Sequence, residues 1–483
     1  MVNVNQWLRY AAYLAISLLT VRLISLGLYP FFDTTESRYG EIARLMFETG
    51  NWVTPQFDYG TPFWGKPPLH TWLSAASFSM LGVSEFSGRL PHFLSGCLVV
   101  ALVYRFTSQV LDREKAIAAV MVLCSCLGFI VAIGMVMTDT VLLLSITLAM
   151  ISFWHHASLQ GILGQSIDSN KRYSDVFFAA LALGMLAKGP VALVLIGIGI
   201  AVWSIGNRIL FNVIASLFWR RGITIFLLLT LPWYLWAEIR TPGFLNYFII
   251  GEHFYRFVEP GWSGDLYGSA HDQPKGMIWI FWLASAFPWS FVLIFSLATQ
   301  AQFKRTPTKA VKEHGKAAPR YFRSYLVSWL IAPMLLFTLA GNILPIYVMP
   351  GFAALSILIV IVVKSLRVQV FSALLSGSLV MLTLALVSLG LVSQSSESGL
   401  LKQVELTTDK PLYYWQHRPF SAQFYSKGRA KLVADEASLK SIINAEQPFY
   451  LAVKAKGKEF QQKLPTDCRV IAESKKRVMY QCF

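Results

Sequence analysis

Charged residues are scarce in this sequence of 483 residues: they make up 14% of the chain, whereas hydrophobic residues make up 55%. Ordinary soluble domains carry about a quarter charged residues, so this scarcity excludes a packed soluble core for most of the chain. Acidic residues are scarcest, and 42 Lys and Arg against 26 Asp and Glu give a formal net charge of +16. No helix-turn-helix or zinc motif accompanies that surplus. Nucleic acid is therefore not expected as a partner, and basic loops at a membrane face explain the charge.

The sequence also lacks the motifs of a cysteine-bound metal site and of a nucleotide-binding site. The five cysteines show no metal-ligand spacing, and no Gly-rich phosphate-binding loop or strand-then-GxGxxG pattern occurs. An activated donor must therefore be lipid-borne or absent. Three cysteines lie in apolar runs, whereas Cys468 and Cys482 lie in the polar tail, where they can form a disulfide only in an oxidising compartment.

Long apolar stretches recur along the chain, and a stretch of about 20 residues is enough to cross a bilayer as a helix. The N-terminal stretch lacks a small-residue cleavage site, which predicts a retained span rather than a signal peptide. The Lys188-Gly189-Pro190 segment interrupts the fifth and sixth stretches, which could otherwise form one longer run. The sequence thus predicts an α-helical polytopic membrane protein with about eleven spans. They cover about 9–30, 92–110, 116–137, 140–157, 174–187, 190–207, 222–237, 276–299, 324–340, 345–363 and 370–393.

Basic short loops predict the orientation, because cytoplasmic loops carry an excess of Lys and Arg. The segments 31–91, 238–275 and 394–483 then lie outside, which predicts a bacterial inner-membrane protein with its outer loops in the periplasm. The basic loops on the predicted cytoplasmic face contain residues 112–115, 171–172, 208, 220–221, 304–323, 364 and 367.

The outer segments carry structure of their own. Tyr39, Ile42, Ala43 and Met46 share one helix face, which predicts a helix lying flat at the membrane interface. A second helix is predicted after 66–68, because Pro is tolerated in a first helical turn. The tail alternates strand-like runs such as 449–453 with a helix-like run at 437–444. We therefore predict a transmembrane domain at 1–393, with interfacial helices in its first loop at 31–91, and a small periplasmic α/β domain at 394–483.

Three carboxylates are candidate catalytic residues. Asp33 and Glu36, three residues apart at a membrane-water boundary, could act as a general base and its neighbour. The same pair has capping-box form, with Asp33 as the N-cap and Glu36 reaching back to its amide. Asp139 begins an apolar run at the outer face, where an acidic side chain is either solvated or functional.

Four cationic or titratable side chains fall on the same predicted face: Lys66, Lys188, His253 and Arg256. A sugar-lipid donor has a phosphate at that interface, and Lys or Arg would bind it and stabilise the charge on the leaving group. Snorkelling to lipid headgroups is the alternative for Lys188, and a structural role is the alternative for His253. Arg256 lies beside aromatic residues, an arrangement that suits phosphate binding.

Taken together and in chain order, these motifs resemble the bacterial lipid A aminoarabinose transferase family, which belongs to the GT-C superfamily with the protein O-mannosyltransferases. The first outer loop is the most specific part of the likeness. The similar segments are 35–44, 50–55, 66–69, 137–140, 187–190, 253–257, 344–350 and 418–425.

The resemblance implies an inverting transfer of a sugar from a polyprenyl phosphate, such as undecaprenyl phosphate, to an acceptor. The acceptor could be lipid A, another glycolipid or glycan, or a protein. Glu36 and Asp139 carry over by position to catalysis, and Lys66 carries over as a ligand of the lipid phosphate. The resemblance also carries His253 and Arg256 over to the donor, and Arg38 and Lys188 are further candidate donor-binding residues.

Two departures from that family's pattern bear on the site. Where aminoarabinose transferases have Asp-Glu, this chain has Thr35-Glu36, so the base role falls to Asp33 or Glu36. Where they have Glu-Lys-Pro, this chain has Gly65 before Lys66. Because that missing Glu is a metal ligand in the aminoarabinose enzymes, no metal or other cofactor is predicted.

A function of another class uses the same residues: a carrier or flippase for lipid-linked sugars would bind the phosphate without cleaving a bond. Transporters usually place ionisable groups near the middle of the membrane, whereas the candidates here lie in outer loops. That placement favours surface chemistry. A purely structural membrane scaffold gives no reason for the ordered motifs. The sugar, the acceptor and the oligomeric state do not follow from the sequence.

Overall fold

The computed structural model describes residues 4–160, 162, 171–259, 262–267, 273–303, 319–391, 396–404, 410–445, 447–455, 464 and 467–482. Helices dominate these residues. They are α1 (Val4–Ser25), α2 (Thr35–Thr49), α3 (Leu69–Leu81), α4 (Glu85–Val110), α5 (Arg113–Cys124), α6 (Leu127–Ala132), α7 (Thr138–Leu159), α8 (Arg172–Lys188), α9 (Val191–Gly206), α10 (Leu210–Ser216), α11 (Trp219–Arg240), a π-helix (Asn246–Tyr255), α12 (Arg256–Val258), α13 (Met277–Ser285), α14 (Trp289–Phe303), α15 (Pro319–Phe337), a 3-10 helix (Pro345–Gly351), α16 (Phe352–Val362), α17 (Leu366–Ser388), α18 (Ser398–Lys402), α19 (Phe420–Tyr425) and α20 (Glu436–Asn444).

The polytopic helical architecture is confirmed. Six helical segments in the described part of the chain are long and apolar enough to cross a membrane, and α13 with α14 make a seventh if that pair, bent by 101°, is one span. This number is smaller than the predicted eleven because several predicted spans are short or broken. The stretch 116–137 is not one helix, since the chain leaves the helical path at Ser125 and Cys126 between α5 and α6.

The break predicted at 188–190 is confirmed. Helix α8 ends at Lys188 and α9 begins at Val191, with Gly189 between them at φ +86°. A Cβ atom at Gly189 would lie 2.5 Å from the ring of Phe248 and 3.0 Å from Nε2 of His253. The turn therefore needs glycine for its backbone conformation and for the close approach of the π-helix.

The first outer loop has the two predicted helices, α2 and α3, and a short antiparallel pair of strands, β1 (Gln56–Asp58) and β2 (Thr61–Pro62). That α2 lies flat at the membrane interface stays a prediction, and its polar face is buried within the protein. Its polar residues Glu36, Glu41 and Arg44 are as deeply buried as Ile42. The cause is that α3 packs on one side of α2 while α19 from the tail packs on another.

The helix ends opposite the outer loops carry basic residues, as predicted. Lys364 and Arg367 line the same surface cavity as Lys115, which places the α4–α5 and α16–α17 connections on one face. The starts of α8 and α11 also meet, through an ion pair between Arg221 and Asp175 at 2.7 Å. The basic stretch 304–318 lies outside the described residues.

The tail forms the predicted small α/β domain. Its five strands are β3 (Leu412–Trp415), β4 (Ala430–Val433), β5 (Phe449–Lys454), β6 (Arg469–Glu473) and β7 (Arg477–Cys482), in the sheet order β4-β3-β5-β7-β6. Strand β3 runs parallel to β4 and β5, whereas β7 runs antiparallel to β5 and β6. Cys468 and Cys482 form a disulfide at the end of this sheet. The predicted boundary at 393 lies outside the described residues.

Candidate active site

A cavity opens where several helix ends converge beside the first outer loop. It has two adjoining lobes, the larger of about 530 Å³ and the smaller of about 290 Å³. Four side chains line both lobes: Lys66, Lys188, Arg256 and Tyr347. Lys66 precedes α3, Lys188 ends α8, and Arg256 follows the π-helix. Residues far apart in the sequence thus place three cations around one space.

Glu252 organises two of these cations. It is buried, and its Oε2 accepts hydrogen bonds from Lys66 Nζ at 3.0 Å and from Arg256 Nη1 at 3.0 Å. Burial alone would raise the pKa of Glu252, but the charges of Lys66 and Arg256 outweigh it and lower that pKa to about 2. The carboxylate is therefore ionised at any working pH. It fixes the positions of both cations in the cavity.

The third cation, Lys188, pairs with a second carboxylate. Its Nζ donates to Asp139 Oδ1 at 2.6 Å and lies 4.4 Å from the ring centre of Tyr347. Lys188 and Asp139 are 8% and 6% exposed, so the pair is largely withdrawn from solvent. Snorkelling of Lys188 to lipid headgroups does not describe this geometry. Asp139 is the one carboxylate among the described residues that line the larger lobe.

Helix α2 brings three more residues to the larger lobe: Thr35, Arg38 and Tyr39. Arg38 Nη1 donates to the carbonyl oxygen of Tyr267 at 2.8 Å, while its buried Nε has no hydrogen-bond partner. A buried N–H without a partner is costly, and an anion in the cavity would satisfy it. Arg38 is thus a fourth cation at this site.

His253 lines the smaller lobe but is committed to the backbone around it. Its Nδ1 lies 2.7 Å from the carbonyl oxygen of Phe248, and its Nε2 lies 3.3 Å from that of Lys188. Burial lowers the pKa of His253, which keeps the ring neutral at neutral pH. These contacts favour the structural role for His253, namely holding the end of α8 against the π-helix.

The structure does not bring Asp33 or Glu36 to the cavity. Glu36 is 1% exposed, and its Oε1 accepts from Nε of Arg89 at 2.7 Å. Asp33 accepts from the backbone N–H of Ser421 at 2.9 Å and also from its hydroxyl. The predicted capping box is not formed, because Asp33 does not cap α2, which begins at Thr35 with no side-chain cap. Both carboxylates are occupied by partners that hold the first loop in place.

No sequence pattern singles out Tyr347, Asp265 or Tyr267 as residues of the site. Tyr347 lines both lobes from the 3-10 helix, within a segment that the resemblance included. Asp265 Oδ2 lies 3.4 Å from Arg256, and Tyr267 binds Arg38 through its carbonyl oxygen. Main-chain contacts and long-range pairs of this kind leave no local sequence signal.

The described residues contain no group of three His, Cys, Asp or Glu side chains that could hold a metal ion. The absence of a metal remains a prediction. The smaller lobe has apolar walls formed by Val191, Val194, Leu336 and Phe337. The smaller lobe therefore has cationic side chains at one part and apolar walls at another, and an anionic lipid needs both for its headgroup and its chain.

The fold and this cavity define a multi-pass α-helical membrane protein with a cation-lined site at one end of its helices. Residues 6–248 match the model of the dolichyl-phosphate-mannose-protein mannosyltransferase family. That match covers half of the chain, and the protein belongs to this family.

Curated relatives are similar over most of the chain. An undecaprenyl phosphate-alpha-4-amino-4-deoxy-L-arabinose arabinosyl transferase from Enterobacter sp. is 29% identical over 356 residues, which cover 73% of this chain and 59% of the relative. The protein of the same name from Yersinia pestis is 28% identical over 397 residues, covering 79% of this chain and 66% of the relative. The chain thus spans less than two thirds of the length of these relatives.

Solved structures share the fold. The crystal structure of ArnT from Cupriavidus metallidurans bound to undecaprenyl phosphate matches with a TM-score of 0.76 at 18% identity, covering 97% of both chains. The archaeal oligosaccharyltransferase AglB from Archaeoglobus fulgidus matches with a TM-score of 0.51 at 13% identity, covering 92% of this chain and 69% of that one. At these identities the likeness establishes the fold alone.

Proposed function

We propose that this protein is a glycosyltransferase that moves a sugar from a polyprenyl phosphate carrier to an acceptor at the outer face of the membrane. The observation that carries the proposal is the convergence of Arg38, Lys66, Lys188 and Arg256 on one cavity with apolar walls. The relatives are named as transferases that use an undecaprenyl phosphate sugar. Their chemistry needs an anion site of this kind next to lipid.

The cations have a defined task in such a reaction. Cleavage of the bond between the sugar C1 and the phosphate oxygen leaves polyprenyl phosphate, whose charge rises as the bond breaks. Lys66 and Arg256 are held by Glu252 before the donor arrives. They stabilise the leaving group without having to reorganise during the reaction. An anionic phosphate leaves without a general acid.

Asp139 is the carboxylate we assign to the acceptor. An acceptor hydroxyl attacks C1 on the face opposite the phosphate, forms the new C1–O bond and passes its proton to Asp139, so the configuration at C1 is inverted. Lys188 Nζ donates to Asp139 Oδ1 at 2.6 Å and holds this side chain in position before the attack. Asp33 and Glu36 keep structural roles in this mechanism, because their carboxylates bind Ser421 and Arg89.

We place the cavity and the tail domain on the periplasmic side of a bacterial inner membrane. Basic residues such as Lys115, Lys364 and Arg367 lie at the opposite helix ends, as expected for a cytoplasmic face. The disulfide between Cys468 and Cys482 suits an oxidising compartment. A reporter fused within residues 31–91 is expected to be active only as a periplasmic reporter, and cytoplasmic activity would remove the assignment.

Incubation of the purified protein with radiolabelled polyprenyl phosphate sugar and total envelope extract tests the proposal. Transfer produces free polyprenyl phosphate together with a labelled lipid, glycan or protein product. A flippase would instead leave the donor intact in the opposite leaflet of a vesicle. The conservative variant Asp139→Asn is expected to bind the donor and to lose product formation by about 100-fold or more, the contribution typical of a general base. Wild-type turnover in that variant would exclude Asp139 as the base.

A further inference from the structure

The curated relatives carry the name of a donor whose sugar has an amino group at C4. An aliphatic amine is protonated at neutral pH, so a site for that sugar has to accept a positive charge. A buried ammonium group requires a carboxylate or several oriented acceptors, because its desolvation is otherwise uncompensated. The charges around the cavity therefore bear on which sugar the donor carries.

Among the described residues around the cavity, positive charges outnumber negative charges. Arg38, Lys66, Lys188 and Arg256 line the larger lobe, and Asp139 is its one carboxylate within the described part of the chain. Outside that lobe, Glu252 pairs with Lys66 and Arg256, and Asp265 pairs with Arg256. In the part of the chain that the structure describes, these four cations and three carboxylates leave a formal charge of +1. A phosphodiester donor carries one negative charge and matches that excess.

The carboxylates of the first outer loop do not alter this balance, because each has a partner away from the lobe. Asp33 binds Ser421, Glu36 binds Arg89, and Glu41 binds Arg44. Asp58 binds Arg418, Glu48 binds Arg44, and Glu85 accepts from the hydroxyl of Tyr425. Besides Arg38, the residues of α2 that line the larger lobe are Thr35 and Tyr39, and neither carries a carboxylate.

We infer that the sugar carried by the donor is uncharged, and that this protein discriminates against a donor whose sugar bears an ammonium group. The inference rests on the proposed function and names the substrate class of the same cavity. An ammonium group would face Arg38 and Lys188, and its one counter-charge among the described residues that line the larger lobe would be Asp139, which is already paired with Lys188. A sugar carboxylate would add a second negative charge to a site whose excess the phosphate already neutralises.

Two donors that differ in one group test the inference. One is undecaprenyl phosphate 4-amino-4-deoxy-L-arabinose, and the other is the same molecule with a hydroxyl in place of the amine at C4. Release of undecaprenyl phosphate is followed with total envelope extract as the source of acceptor. Like-charge juxtaposition costs several kcal/mol, and about 1.4 kcal/mol is a factor of ten. We expect kcat/KM to be about tenfold or more higher for the hydroxyl donor.

A pair of variants identifies the cause of the discrimination. Thr35→Asp adds a carboxylate to the lobe at the first position of α2, where an acidic residue also suits the helix dipole. We expect it to raise the relative use of the amino donor by about tenfold, a gain that corresponds to about 1.4 kcal/mol. Thr35→Asn, which has a similar shape without the charge, is expected to leave the ratio unchanged.

The outcomes separate the two proposals. Release from neither donor would contradict the proposed function itself. Release from the amino donor at an equal or higher rate would contradict the inference and leave the function intact. An equal response of the ratio to Thr35→Asp and Thr35→Asn would show that charge at this position does not set the preference, and would overturn the electrostatic account.

Discussion

This protein has two groups of buried charged side chains. In one group every charge has a partner, whereas in the other the positive charges exceed the negative charges among the described residues. In the first loop, Arg89 binds both carboxylate oxygens of Glu36 and also donates to the carbonyl oxygens of Leu26, Tyr29 and Pro30. That set is closed, since every strong donor and acceptor has a partner. Around the cavity the cations outnumber the carboxylates, and the excess faces an open space. The first group stabilises the fold, and the second is available to a ligand.

The comparison shows why residue type alone does not identify a catalytic carboxylate. Glu36 and Asp139 are both acidic residues near the outer ends of helices, and both carry over from the same family resemblance. Glu36 is paired with a cation that is itself fully buried, whereas Asp139 is paired with Lys188, which lines both lobes of the cavity. The position of the counter-ion decides which carboxylate can reach a substrate.

The largest expected effect is a loss of stability when the fully paired charges around Arg89 are disrupted. Arg89→Ala leaves Glu36 as an unpaired buried charge and removes the partners of three carbonyl groups. The loss is expected to be about 3–5 kcal/mol of stability, seen as a large fall in the thermal unfolding midpoint in detergent and in the yield of folded protein. Arg221→Ala, which removes an exposed partner of Asp175, is the matched control and should leave the midpoint unchanged. Equal midpoints for Arg89→Ala and wild type would remove the distinction between the two groups.

The next largest effect is expected from the charged residues around the cavity, and it should appear in activity rather than in stability. Lys66→Ala removes a cation that Glu252 holds at the cavity, while Arg256 remains to neutralise Glu252. We expect kcat/KM for the donor to fall by about 100-fold, with the unfolding midpoint close to wild type. Lys66→Arg should restore part of the activity, because the positive charge is kept. Lys115→Ala, at the opposite helix ends, is the control that should not change turnover.

A smaller effect is expected where the tail domain meets the first loop. Ser421→Ala removes the hydroxyl that donates to Asp33 but keeps the backbone N–H that also donates to it. A hydrogen bond to a charged group contributes about 1.5–3 kcal/mol at most, so a modest fall in the unfolding midpoint is expected. Faster proteolysis between residues 391 and 410 would locate the loss at the domain junction. Unchanged proteolysis and an unchanged midpoint would mean that this bond does not hold the tail in place.

Much of the fold could be predicted from the sequence because its signals are local. Apolar length identifies the long helices, and the spacing of Tyr39, Ile42, Ala43 and Met46 locates α2. The sequence also pointed to Gly189 as a break and to the strand at 449–453, which the structure confirms. The breaks inside apolar runs were missed, because neither the Ser125-Cys126 turn nor the bend between α13 and α14 interrupts the hydrophobic pattern.

The site could be predicted only in part, because the side chains that face the cavity are determined by pairing between residues far apart in the sequence. Lys66, Lys188, Arg256 and Asp139 were expected on one face, and they do meet around the cavity. The fate of Asp33 could not be read from its neighbours, since Ser421 lies 388 positions further along the chain. The same holds for Glu36 and Arg89, which are 53 positions apart. A pairwise contact across such distances leaves a single sequence with no pattern to detect.

The smallest expected effect is a difference in pH dependence: donor binding and inhibition by the product should respond differently to pH. The pKa of Glu252 is lowered to about 2 from the ordinary 4.5. Its stabilising contribution is therefore complete above pH 4.5, and it is lost only as the pH falls toward 2. Burial lowers the pKa of His253 below its ordinary value, so this ring is neutral at pH 7 and above. The charge held by these two groups does not change between about pH 7 and pH 8.5, and donor binding should be constant there.

The product behaves differently because it is a phosphate monoester, whose second pKa is about 6. Free undecaprenyl phosphate gains a negative charge as the pH rises through that value, whereas the phosphodiester donor does not. Inhibition by added undecaprenyl phosphate should therefore strengthen severalfold as the pH rises from about 5 to about 8, while the donor KM stays constant above about pH 7. Inhibition constants measured across this range with wild type and Lys66→Ala provide the check, and the variant should show the weaker dependence. A donor KM that follows pH as steeply as product inhibition would mean that a group of the protein, rather than the phosphate, is titrating in the cavity.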